Sequence, residues 1–134
     1  MRKHALLPAV LFLASFFFAS CASRPPVISD DATAMELIQR AQEASDRSDW
    51  GSAIVYYETV RERFGTDPAI LAACKYEIAF IQYKQGKFAL SEEGFLSLIA
   101  LYESPVGASL PPRFLILARR VLPVVRQRIR RPEN

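Results

Sequence analysis

The sequence predicts an all-α fold, with two antiparallel helical hairpins of one repeating design closed by a C-terminal helix. Three observations carry this expectation. Two stretches register when one is shifted by 38 positions: Ser48 falls on Gly86, Trp50 on Phe88, Ala53 on Ser91, Tyr57 on Phe95, Val60 on Leu98 and Phe64 on Tyr102. A fixed period of this size is the mark of stacked helical units. Apolar residues recur at i, i+3 and i+4, the spacing of one helix face. Cap and turn residues fall between the periodic stretches.

Taken in order, Thr33-Ala34-Met35-Glu36 matches a capping box, in which Thr33 accepts from an orphan amide and Glu36 reaches back. The first helix is predicted from 34 to about 47, with Ala34, Leu37, Ile38, Ala41 and Ala44 as its apolar stripe. The second spans about 50 to 64. Trp50 and Phe88 start the second helix of each hairpin, while Ala53 and Ser91 are small where two backbones approach. Ser52, beside Ala53, is expected to point outward. Gly86 takes the positive φ that ends a helix at no steric cost. Ser48 does so less well, which leaves open how the first turn closes.

Gly65-Thr66-Asp67-Pro68 breaks the chain, with Asp67 as cap and Pro68 in the first helical turn. The third helix, 68 to 85, carries two apolar lines. One is Leu71, Cys74, Ile78 and Ile81; the other is Tyr76, Phe80 and Tyr83, ending at Lys84. A helix apolar around most of its girth is buried on two sides, or buried on one and facing a ligand on the other. The fourth helix spans 88 to 102 and a loop follows at 103–108. The last segment should be a helix kinked or broken before Pro123. Phe114, Leu117, Ala118, Val121 and Leu122 are expected to cover the open end of the array.

The N-terminus reads as an address. Arg2, Lys3 and His4 precede an apolar run over 5–17, then Phe18-Ala19-Ser20-Cys21. A basic start, a short apolar core and small residues before a cleavage point describe a secretory signal peptide. The run is short of the ~20 residues needed to span hydrocarbon, and Pro8 interrupts it. The Cys after small residues resembles a bacterial lipobox. That resemblance implies cleavage before Cys21 and lipidation of Cys21, with palmitate among the acyl chains. Domain organisation is then a signal peptide at 1–20, lipidated Cys and proline-bearing tether at 21–32, two helical repeats at 33–103, and a C-terminal helix with a basic tail at 104–134. In the sorting scheme that the lipobox resemblance implies, the residue after the Cys helps choose the membrane; Ala22 and Ser23 lack its acidic retention signal, so outer membrane is expected over inner, on the periplasmic or cell-surface side.

The stretch Tyr76-Glu77-Ile78-Ala79-Phe80-Ile81-Gln82-Tyr83-Lys84-Gln85-Gly86-Lys87-Phe88 resembles a tetratricopeptide repeat (TPR). Residues 34 to about 102 would hold two such repeats. Lys75, Gln82 and Ser91 depart from the family pattern, and the period of 38 exceeds its usual ~34. The longer period is similar to that of BamD-type outer-membrane assembly lipoproteins. The resemblance implies a protein–protein interaction scaffold in the cell envelope, with a peptide or helix held against the first helices of the hairpins. The positions matching those contacts are Tyr76, Phe80, Tyr83 and Lys84 in the second repeat, and Ile38, Gln42 and Asp46 in the first. The aromatic set is either core or groove: Phe80 is expected to lean toward packing, and Tyr83 and Lys84 toward exposure.

Composition narrows the chemistry. The only histidine is His4, inside the expected signal peptide. Without it the chain has no imidazole for a nucleophile pair or a metal ligand. Glu92 and Glu93 are adjacent and so do not face one another on a helix. No cofactor and no catalytic residue is expected, and the reading is not an enzyme. With Cys21 lipidated, Cys74 has no disulfide partner and reads as a small buried apolar residue. Without Arg2 and Lys3 the chain has 15 bases against 14 acids, so its basic pI gives no ground for a nucleic-acid partner. Charge is uneven, however. Residues 30–103 hold thirteen acids and seven bases, and residues 113–131 hold seven arginines and no acid. A basic end of this kind is a solvated cap face with a frayed tail, or it binds anionic lipid headgroups or nucleic acid. Lipid is expected over nucleic acid in an exported, tethered chain, and binding to a lipid surface through the C-terminal helix is the alternative function.

Overall fold

A computed structural model describes residues 25–131. The expected signal peptide and Cys21 lie outside the described residues. Over these residues the fold is all-α: α1 (Ala34–Asp46), α2 (Trp50–Phe64), α3 (Pro68–Lys84), α4 (Phe88–Glu103) and α5 (Arg113–Arg130), with a 3-10 turn at Pro105–Ser109. No strand occurs among the described residues.

Local chemistry sets the boundaries. The backbone N–H of Thr33 donates to Glu36 Oε2 at 2.8 Å, and that of Glu36 to Thr33 Oγ1 at 3.3 Å, which completes the capping box. Asp67 Oδ1 accepts from the amides of Ala69 at 2.8 Å and Ile70 at 3.4 Å. These bonds satisfy amides that a helix start leaves without partners.

Helices α1 and α3 end alike. Gly86 has φ 74°, its N–H donates to the Tyr83 carbonyl, and the Lys87 N–H reaches back to Gln82. Ser48 has φ 58°, its N–H donates to Ser45, and the Asp49 N–H reaches back to Ala44. This paired pattern satisfies the last carbonyls of each helix and turns the chain sharply into the next. The turn at Ser48 thus closes as the one at Gly86 does, although a side chain must occupy the left-handed region.

α1 packs on α2, α2 on α3, α3 on α4, and α5 on α4 and the edge of α3. Two apolar clusters result. The first joins α1, α2 and one side of α3 through Leu37, Ala41, Tyr57, Val60, Cys74 and Ile78. The second joins the other side of α3 to α4 and α5 through Tyr76, Phe95, Leu98, Phe114, Leu122 and Val125. The two apolar lines of α3 feed one cluster each. Where α3 crosses α4, Ser91 Oγ donates to the Ala79 carbonyl at 2.8 Å in a buried bond. Gly94 sits beside it, and a Cβ there would come within 2.8 Å of Ala79 Cβ.

Three expectations are corrected. Ser52 is buried, because α2 is covered by α1 on one side and α3 on the other. α5 runs unbroken through Pro123. Both Pro123 and Arg119, whose carbonyl the proline leaves without its amide, are exposed, so water can satisfy that carbonyl. Leu117 is 37% exposed rather than part of the cap. The covering stripe is Phe114, Ala118, Leu122 and Val125, joined by Leu110.

Candidate functional site

The aromatic line on α3 forms a ladder. Tyr76 and Phe80 stack with ring centroids 5.8 Å apart, Phe80 and Tyr83 with centroids 6.0 Å apart, and Tyr83 meets Phe88 of α4 at 6.0 Å. Pairs at these separations add to the energy of simple burial. Lys84 Nζ lies over the Phe80 ring, 5.3 Å from its centroid, a favourable cation–π placement.

Burial grades along this ladder. Tyr76 is only 7% exposed, and its ring is enclosed by Phe80, by Phe95 at 5.8 Å and by Phe114 at 5.5 Å. This removes Tyr76 from any open contact surface, because α5 lays Phe114 directly on it. Burial also holds the Tyr76 hydroxyl above its ordinary pKa, with Glu77 adding to the effect. Phe80 and Tyr83 are half-buried and Lys84 is exposed. Tyr83, Lys84, Phe88 and Arg128 line one open recess at the end of the ladder.

On α1, Ile38 is half-buried against the first cluster, and Gln42 and Asp46 are exposed. Tyr57 of α2 is buried in the first cluster. Burial raises its hydroxyl pKa, and the charges of Glu77, Cys74 and Asp46 add to the effect. Glu77 is the residue that pattern reading passed over. It sits one position after Tyr76 on α3, burial pushes its carboxyl pKa up, and Arg113 of α5 opposes that shift. The signal was present as a lone acid in an otherwise apolar stretch, 69–81, broken only by Lys75.

A second concavity of about 260 Å³ opens between α2, α3 and α4. Lys75 Nζ donates to Ser97 Oγ there at 2.6 Å, and Arg61 pairs with Glu58 at 3.2 Å. Burial, and then the charge of Arg61, lower the Lys75 pKa. The cleft holds charges of both signs, since Glu58 and Glu93 line it with Arg61 and Lys75. Among the described residues, no group of three His, Cys, Asp or Glu side chains is placed to hold a metal ion. Among the same residues, no helix is long and apolar enough to cross a membrane.

No protein-family model matches the chain, and no solved structure matches it. The chain is similar to an uncharacterized protein of Treponema pallidum (strain Nichols), 31% identical over 108 residues. The match covers 79% of this chain and 43% of that protein, so the chain spans less than half the length of that relative.

Proposed function

We propose that this chain is a lipid-anchored, TPR-like scaffold that holds another protein or peptide of the bacterial cell envelope. The observation that carries the reading is the graded aromatic ladder. Its inner rung, Tyr76, is core, while its outer rungs, Phe80 and Tyr83, stay half-open beside an exposed Lys84. Half-exposed aromatics on a rigid helix are the kind of side chain that concentrates binding energy at protein contacts. Support for TPR-like repeats comes from the two helix ends that close by the same hydrogen bonds 38 residues apart. In the first hairpin the proposed contacts are the exposed Gln42 and Asp46 of α1, with the half-buried Ile38. Anchoring rests on Cys21 and the leader before it, with the outer membrane as the proposed location. Scaffolding of envelope assembly, as in the BamD-type lipoproteins, is the corresponding role.

The test is the double variant Tyr83→Ala/Lys84→Ala in the full chain, crosslinked in intact cells. We expect a folded, correctly located protein that loses its crosslinked partner. A folded variant that keeps the partner moves the site elsewhere, and an unfolded one places these residues in the core. Anchoring is tested separately by labelling with a fatty-acid analogue. Cys21→Ala should abolish the label, and unchanged label would end that part of the reading.

A further inference from the structure

The seven arginines between 113 and 131 lie on one uninterrupted helix and its final cap residue, with no acid among them. Its inner stripe, Phe114, Ala118, Leu122 and Val125, is used up in the second cluster. Several arginines have partners within the protein: Arg126 Nε donates to Glu92 Oε1 of α4 at 2.6 Å, Arg130 Nε donates to the Arg126 carbonyl at 3.3 Å, and Arg113 lies 4.3 Å from the centroid of the Phe114 ring. The opposite side is different. Arg119, Arg120 and Arg130 are exposed there, and between them stand Ile116, 50% exposed, and Val124, 42% exposed. At 100° per residue these five side chains fall on the half of the helix turned away from the inner stripe.

We propose that this outer face of α5 lies on an anionic phospholipid surface. The argument is charge complementarity combined with exposed apolar groups. Residues 30–103, the rest of the helical body, are net acidic and would be turned away from such a surface, while α5 is drawn to it. A phospholipid interface offers phosphates to the guanidiniums and a shallow apolar layer to Ile116 and Val124. A nucleic-acid backbone would meet the arginines and leave those two side chains in water. The contact does not depend on lipidation of Cys21, so the two ideas fail separately.

The experiment uses the full chain, with Trp50→Phe removing the sole tryptophan and Ile116→Trp placing a reporter on the exposed face. It is mixed with vesicles carrying brominated acyl chains, made either of phosphatidylcholine alone or of equal parts phosphatidylcholine and phosphatidylglycerol. We expect loss of emission in the anionic vesicles, no loss in the neutral ones, and recovery in molar salt, where screening is short-ranged. The N-terminal apolar run can hold the chain to both kinds of vesicle, so the contrast at position 116 reports α5 itself. Adding Arg119→Gln and Arg120→Gln should abolish the loss while circular dichroism stays helical. Equal quenching in both vesicles, or none in either, overturns the proposal. Unquenched emission with a dimer in sedimentation assigns the face to a second copy and also overturns it.

Discussion

Ser48 occupies, 38 residues upstream, the same left-handed backbone position as Gly86, with φ 58° against 74°. A side chain there costs about 1–2 kcal/mol, whereas glycine costs backbone entropy of roughly 0.5–1 kcal/mol. Ser48→Gly should therefore stabilise the fold, by something under about 1 kcal/mol. Gly86→Ala should do the reverse by about 1 kcal/mol. A Cβ at Gly86 meets no atom within 4 Å, so that cost is conformational alone. Urea unfolding of both variants checks the pair, and a destabilised Ser48→Gly would refute the strained-turn account.

The α3–α4 crossing gives a second contrast. Gly94→Ala puts a methyl within 2.8 Å of Ala79 Cβ, beside the buried Ser91–Ala79 hydrogen bond. The helices must part, at about 1–3 kcal/mol. Gly51 is also helical, but a Cβ there finds only Asp49 Oδ1 at 3.9 Å. Gly51→Ala should then stabilise by roughly 0.5–1 kcal/mol. Thermal unfolding that moved both variants the same way would show that the crossing is not the constraint.

Cys74 supplies a chemical test of the first cluster. It is 1% exposed, and burial raises its pKa to about 11. Thiolate is the reactive form, so alkylation of the native chain should be slow and should become fast in denaturant. Mass spectrometry of the peptide containing Cys74 reads this directly. Rapid native labelling would mean that α3 separates readily from α1 and α2.

Element boundaries were legible because they rest on local signals: Thr33 with Glu36, Asp67 before Pro68, and Gly86. What sequence could not apportion was the width of each buried arc. Ser52 was misplaced because α2 is covered on two sides, and Leu117 because α5 meets α4 and only the edge of α3. The site shows the same division. The i, i+4, i+7 spacing put Tyr76, Phe80 and Tyr83 on one face of α3, as the ladder of ring contacts bears out. That Phe114 closes over Tyr76 but leaves Tyr83 half-open depends on where α5 lands, and no local pattern encodes that. Glu77 was overlooked because the burial that raises its pKa depends on how the helices pack, as does the opposing charge of Arg113, 36 positions away in the chain.

Glu77 leads to the last prediction. Burial holds its carboxyl above the ordinary value of 4.5, with Arg113 pulling in the opposite direction. The folded chain therefore holds this proton more tightly than the unfolded chain does. From about pH 4.5 upward to the raised pKa, the folded state binds more protons, so this group's contribution to stability falls as pH rises. Above that range the group is a net cost to folding, since burial outweighs the attraction of Arg113. Glu77→Gln keeps the shape and removes the charge. The variant should melt at or above the native chain at pH 7, should match it near pH 4, and should flatten the slope between. Melting curves at four pH values across that range decide it. A variant that melts lower at pH 7 would mean that the Glu77–Arg113 attraction outweighs burial and that α5 is held to α3 by charge as well as by Phe114.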